Sequence, residues 1–290
     1  MIWPLTQMMK TTTRMSGREA SRRARSPRLE SLENRTVLSV TFSAFSSGSP
    51  GTWAYNSATS SWREISTGIP KAMDEGSDGT LFASYGNGTY RYDYGSNHWT
   101  QLTTAHASAL SAASDNTFFG SFGNGTYEYN GSWHRLTTDV ANKLAAVSNN
   151  DVYASFSSGS DRGTWQYKSG WHEVTTAVPV AMDASPGGAL FFSDSAGTYE
   201  YNGSLHGITS LEATHLAAVS NSVFYAAFSS TASAGTWEYN GTWHSLTKSV
   251  ASQLGSDGST MIASLSSGTY TYDGNGHWHR LTTLQAKLVG

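Results

Sequence analysis

Residues 141–176 read ANKLAAVSNNDVYASFSSGSDRGTWQYKSGWHEVTT, and this stretch decides the fold. Four short segments, at 143–147, 152–156, 163–167 and 171–175, suit strands by their β-branched, aromatic and small residues. Between them lie Ser148-Asn149-Asn150, Ser157-Ser158-Gly159 and Lys168-Ser169-Gly170, all turn chemistry. No segment has apolar residues at helical spacing. The unit therefore predicts four antiparallel strands in about 36 residues.

The unit recurs seven times. Gly-Thr-(Tyr/Trp)-x-Tyr begins at Gly51, Gly88, Gly125, Gly163, Gly197, Gly235 and Gly268, at spacings of 37, 37, 38, 34, 38 and 33. Trp-x-x-(Leu/Ile/Val)-(Thr/Ser) follows each copy, from Trp62, Trp99, Trp133, Trp171, Trp243 and Trp278, with Leu205 in the fifth. A Leu or Met recurs at Met73, Leu110, Leu144, Met182, Leu216, Leu254 and Leu288. Seven four-stranded repeats of this length predict a seven-bladed β-propeller. A β-solenoid is the alternative, but it needs fewer strands per coil. The chain enters the pattern at residues 41–45, which align with strand two, and leaves it at 285–289, which align with strand one. The last strand should therefore complete the first blade and pair both open edges.

Composition agrees. Charged residues are 13 %, aromatics 12 %, Gly 29 of 290 and Cys 0, which fits short strands and tight turns and excludes disulfides and Cys-ligated metals. Net charge is -3, unevenly placed. Residues 1–40 hold eight Lys and Arg against three Glu, and the rest hold ten against eighteen acids. A mildly acidic propeller argues against nucleic acid, and no apolar run reaches the ~20 residues of a membrane span.

The basic N-terminal segment, residues 1–40, carries no repeat and reads as an export or tail segment before a propeller at 41–290. Its Leu29-Glu30-Ser31-Leu32-Glu33-Asn34-Arg35-Thr36-Val37-Leu38-Ser39 resembles the Leu-Glu-x-Leu-Glu-x-Arg-x-Leu-Leu-Ser motif of planctomycete-type exported bacterial proteins. It departs from that motif at Val37 and Ser31. The resemblance implies a secreted or cell-surface protein. The Gly-Thr-Tyr/Trp-x-Tyr and Trp-x-x-Leu-Thr motifs make residues 41–290 similar to the short-blade propellers of the tachylectin/tectonin kind. That implies lectin-like carbohydrate binding.

Strands three and four are often joined by Tyr-Asn-Gly-(Ser/Thr)-Trp, as at Tyr129–Trp133. Asn-Gly predicts a two-residue type I′ turn, with Tyr129 opposite Ser132, Glu128 opposite Trp133 and Tyr127 opposite His134. Tyr127, Tyr129, His134 and Leu136 would then share one face, and Thr126, Glu128, Trp133 and Arg135 the other. The candidate ligand residues follow: Trp133, Glu128, Arg135, Trp171, Trp243, Glu238, Trp278 and Arg280, with the Trp as a stacking platform and the charged groups as hydrogen-bond partners. Packing between blades is the competing role for these Trp. Asn87, Asn124, Asn130, Asn202 and Asn240 formally match glycosylation acceptors, but turn placement explains them.

His134, His172, His206, His244 and His279 recur on the outer strand, where neighbouring copies stand on the order of 18 Å apart. One ion cannot span that, so no shared metal site is expected. Asp74 and Asp183 hold matching inner-strand positions and are the axial carboxylates on which an acid–base enzyme would rest. No supporting cluster accompanies them. The expectation is a non-catalytic monomer without cofactor whose partners are glycans or envelope proteins. A protein-interaction scaffold and a polysaccharide hydrolase or lyase are the alternatives.

Overall fold

The computed structural model describes residues 40–114, 116–256 and 260–290, and every regular element in them is a β-strand. The basic segment and its export-type motif lie outside the described residues. Seven four-stranded antiparallel sheets make up the fold. Blades two to seven occupy residues 72–103, 109–137, 143–175, 181–209, 213–247 and 253–282. Blade one is built from Val40–Phe45, Gly51–Asn56 and Ser61–Ser66, completed by Ala286–Val289. Strand one of each blade packs against strand one of the next, and Ala286–Val289 touches both Gln253–Ser256 and Ala72–Glu75. The ring is therefore closed, with strand one at the axis.

Closure runs through a short ladder. Ala44 opposes Leu288, the Phe42 N–H donates to the Gly290 carbonyl at 3.3 Å, and the Gly290 N–H donates back to Phe42 at 3.1 Å. In blades two and four to seven the recurring Leu or Met of strand one packs against the preceding blade. Met73 packs with Phe42 and Ala44 of blade one, and Leu216 with Phe191 of blade five.

The Gly-Thr pair has a physical explanation. All seven motif glycines have φ between 136° and 150°, where glycine alone is comfortable. A β-carbon at Gly163 would stand 2.7 Å from the Thr175 carbonyl oxygen, which ends strand four. The chain needs that close approach because strand four turns there toward the next blade. The following threonine is fully buried in every blade. Its hydroxyl donates to a carbonyl of that crossover: Thr52 to Gly68, Thr89 to Ala105, Thr126 to Asp139, Thr164 to Ala177, Thr198 to Leu211, Thr236 to Ser249 and Thr269 to Leu284, all at 2.8–3.0 Å. The last residue of strand four accepts from the N–H two residues on in each blade, as Ala177 donates to Thr175 Oγ1 at 3.2 Å.

Three blades have a longer approach to strand three, and the same three carry Trp where the others carry Tyr. The indole N–H reaches back to a loop carbonyl four residues earlier: Trp53 to Ser49, Trp165 to Asp161 and Trp237 to Ser233. The larger ring thus fastens the longer loop.

Thr126→Val keeps the volume but leaves the Asp139 carbonyl and the Ala141 N–H, which donates to Thr126 Oγ1, without partners. Urea unfolding should show a loss of about 2 kcal/mol, against under about 0.5 kcal/mol for the exposed neighbour Thr138→Val. Equal effects would contradict the crossover role.

Candidate functional site

The structure corrects the expected hairpin register. Tyr129 opposes Trp133, Glu128 opposes His134 and Tyr127 opposes Arg135. The loop has three residues, Asn130-Gly131-Ser132, closed by the Asn130 N–H on the Ser132 carbonyl, with Gly131 at φ 98°. A bulge between Thr126 and Tyr127 absorbs the one-residue offset. Trp133 therefore shares its face with Tyr127, Tyr129 and Arg135, and Glu128 lies on the other.

Trp133 sits among Phe118, Phe122, Tyr127 and Tyr129, at ring-centroid distances of 5.0–6.3 Å. Trp243 packs likewise on Phe224, Phe228 and Tyr239, Trp278 on Tyr270 and Tyr272, and Trp171 on Phe156 and Tyr167. Three of the outer Trp also tie blades together. Trp62 donates to Leu281, Trp99 to Ile65 and Trp171 to Leu136, each a strand-four carbonyl of the preceding blade. These Trp are half-buried, while Arg135 and Arg280 are exposed. Glu128 and Glu238 are buried and accept from Asn130 and Asn240 at the base of their own hairpins. The Trp and Glu groups thus do not converge on one surface. His134, His206 and His244 each bond the Ser or Thr of their own hairpin at 2.8–2.9 Å.

At the axis, Asp74 and Asp183 bridge neighbouring blades. Asp74 Oδ2 accepts from the Ala112 N–H at 2.8 Å and the Ser111 hydroxyl at 3.1 Å, and its Oδ1 from the Glu75 N–H. Asp183 accepts from Ala218 at 2.7 Å and Ala184 at 2.9 Å. Burial lifts the Asp74 pKa to about 6, against the lowering effect of its hydrogen bonds. Burial lifts Asp183 to about 7, with the Asp74 charge adding to the rise. Both can hold a proton near neutrality, and both have already committed their oxygens to backbone N–H groups.

A groove between blades one and two gathers aromatic and polar groups around one of the outer Trp, Trp99. It has a volume of about 490 Å³ and is lined by Tyr85, Tyr90, Trp99 and, from blade one and its crossover, Ile65, Ser66 and Ile69. The three rings meet edge to face at 5.8–6.3 Å. Polar groups rim them. The Tyr85 hydroxyl lies 3.0 Å from Thr52 Oγ1, and the Gln101 amide donates to the Tyr90 hydroxyl and the Asn87 carbonyl. Sequence reasoning missed this groove. Its signal was that strand two ends in Phe45, Phe122, Phe156, Asp194, Phe228 or Leu265 elsewhere, and only in blade two in Tyr.

No protein-family model matches the chain, and none of the curated proteins compared with it does. Solved propellers do. The extracellular domain of a one-component system from B. thetaiotaomicron aligns at 12 % identity and TM-score 0.50, covering 73 % of this chain and 33 % of that one. YCF48 bound to D1 peptide aligns at 14 % and 0.51, covering 74 % and 82 %. Pyrococcus horikoshii acylaminoacyl peptidase aligns at 10 % and 0.59, covering 80 % and 47 %. The chain thus spans about a third of the B. thetaiotaomicron domain, and at these identities the likeness establishes the propeller fold alone.

The raised carboxyl pKa values have a linkage consequence. Both groups bind protons more tightly folded than unfolded, where the pKa is 3.8. Their contribution is full below pH 3.8 and lost as pH rises through about 6 and about 7. Relative to Asp74→Asn/Asp183→Asn, the native chain should lose on the order of 1 kcal/mol per carboxylate between those limits, reduced from face value because both residues are only half-buried. Denaturant unfolding across that range checks it. A pH-independent difference would refute the shifts.

Proposed function

We propose that the chain is a non-catalytic, exported or cell-surface binding propeller that takes carbohydrate in the groove between blades one and two. The groove carries this reading. Its rings offer apolar surface to the C–H faces of a sugar, and its hydroxyl and amide rim offers donors and acceptors to sugar hydroxyls. The N-terminal motif supports an exported setting, as does the fold likeness to the extracellular domain of a one-component system.

A protein or peptide partner is the second reading. It is favoured by Val140 and Val180, which stand exposed on the crossovers flanking blade four, and by the peptide-bound fold neighbour. The axial carboxylates supply a third, hydrolytic reading, which their commitment to blade-to-blade hydrogen bonds weighs against.

A glycan array followed by calorimetry on the best binder tests the proposal. Tyr90→Ala should weaken binding at least about tenfold, or about 1.4 kcal/mol. Trp133→Ala, in blade three, should lower stability and leave affinity unchanged. Undiminished binding by Tyr90→Ala would remove the groove from the account. Glycan cleavage that disappears in Asp183→Asn would overturn the non-catalytic reading.

A further inference from the structure

Three outer hairpins carry the same polar cluster. Blades three, five and six join strands three and four through Glu128-Tyr129-Asn130-Gly131-Ser132, Glu200-Tyr201-Asn202-Gly203-Ser204 and Glu238-Tyr239-Asn240-Gly241-Thr242, with His134, His206 and His244 two residues on. In each, the Asn Nδ2 donates to the Glu Oε1, at 2.9, 2.9 and 3.4 Å. Each of these Asn, and each Gly after it, is exposed. Gly131, Gly203 and Gly241 have φ of 98°, 101° and 96°, and a β-carbon there would meet open space. Their N–H groups have no hydrogen-bond partner among the described residues.

Asparagine followed by glycine holds an electrophile and a nucleophile in one short stretch. The Gly backbone nitrogen can close a five-membered ring on the Asn side-chain carbonyl carbon, and a residue without a β-carbon hinders that ring least. Two other Asn-Gly pairs, Asn87-Gly88 and Asn124-Gly125, are locked out. Gly88 opposes Tyr85 and Gly125 opposes Phe122 in the sheet, and both glycines are buried against the end of strand four. The three exposed pairs differ at the Asn oxygen. Asn240 Oδ1 lies 3.1 Å from His244 Nε2. An amide oxygen only accepts, so that nitrogen carries the ring proton and donates it. Thr242 Oγ1, at 2.9 Å, shares the same proton. Asn130 Oδ1 takes only a long hydroxyl contact from Ser132 at 3.4 Å, and Asn202 Oδ1 has no donor among the described residues.

We propose that Asn240-Gly241 is a self-modification site, where the hairpin converts its own asparagine to aspartyl and isoaspartyl with the His244 N–H assisting. Solvent hydroxide takes the Gly241 N–H proton, and the nitrogen bonds Asn240 Cγ. The carbonyl π pair moves onto Oδ1, where the His244 N–H stabilises the charge. That pair then returns, the Cγ–Nδ2 bond breaks, and the nitrogen leaves as ammonia with a proton from water, which regenerates hydroxide. Water adds to one carbonyl of the resulting succinimide and breaks its bond to the Gly241 nitrogen. Attack at Cγ leaves aspartyl, and attack at the Asn240 backbone carbonyl leaves isoaspartyl. The net change takes up one water and releases one ammonia. A neutral donor to Glu238 thereby becomes a carboxylate facing it. The isoaspartyl product also lengthens by one carbon a loop closed by the Asn240 N–H on the Thr242 carbonyl at 3.3 Å. This site lies on the outer hairpin of blade six and does not depend on the groove.

Peptide mapping by mass spectrometry of the full chain, held in heavy-oxygen water at neutral pH, tests the proposal, because each conversion incorporates one heavy oxygen. In the folded chain Asn240 should convert about fivefold faster than Asn202, the worth of one hydrogen bond to the developing charge. Asn87 and Asn124 should stay intact. In urea, where the hairpins are gone, Asn240 and Asn202 should match. His244→Phe should bring Asn240 down to the Asn202 rate and leave Asn202 unchanged, with melting curves confirming that the variant folds. Matching Asn240 and Asn202 rates in the folded native chain, an Asn240 rate indifferent to His244→Phe, or faster conversion at Asn87 would each overturn the site.

Discussion

A buried threonine hydroxyl donating to a crossover carbonyl is the interaction on which the ring depends. A propeller must turn each outer strand back to the axis seven times, and each return carries backbone groups that no sheet ladder can pair. The chain solves this with the same device in every blade. Glycine lets strand three pass close beneath the end of strand four, and the next threonine bonds the crossover. In blades three, six and seven the same oxygen also accepts the N–H of Ala141, Ala251 or Ala286. In blades two and five a strand-two serine takes that part for Ala107 and Ala213. Local hydrogen bonds therefore set the angle at which each blade hands over to the next, and apolar packing fills the space so defined.

With the blades held this way, side chains at each radius have different freedom. Outer Trp residues are drawn into the seams between blades. Axial residues are less constrained, because the inner strands need only small groups and N–H acceptors there. That freedom is where the blades diverge most: Asp74, Ser111 and Asp183 bridge to the next blade, while Ala145, Ala217, Gly255 and Gly290 do not reach. Blade two departs from the pattern a second time, with Tyr85 in place of an apolar residue, and the groove opens beside it. Departures from the repeat, more than the repeat itself, mark where this molecule can recognise something.

The architecture was legible in the sequence because three markers kept one period and the two ends aligned with complementary strands. The face assignments were not. Asn130-Gly131 fits a two-residue turn and a three-residue loop equally well, and a bulge near Thr126 lets both ends of strand four keep sensible partners. Trp133 and Glu128 thus landed on opposite faces although each individual residue type suited its strand. Asp74 and Asp183 were found as matching inner-strand acids, but their partners, Ala112 and Ala218, carry no side-chain signal because the bond is to backbone.

Native-state hydrogen exchange of the Ala141, Ala251 and Ala286 amides tests the central claim most directly. The Ala141 and Ala251 N–H groups sit in crossovers and that of Ala286 at the first residue of the closing strand, positions where amides ordinarily exchange quickly, yet each donates to a buried threonine oxygen. Exchange as slow as that of the strand-two core, released only by global unfolding, is the result expected. Exchange as fast as at the exposed hairpin residues Gly131 and Gly241 would contradict it.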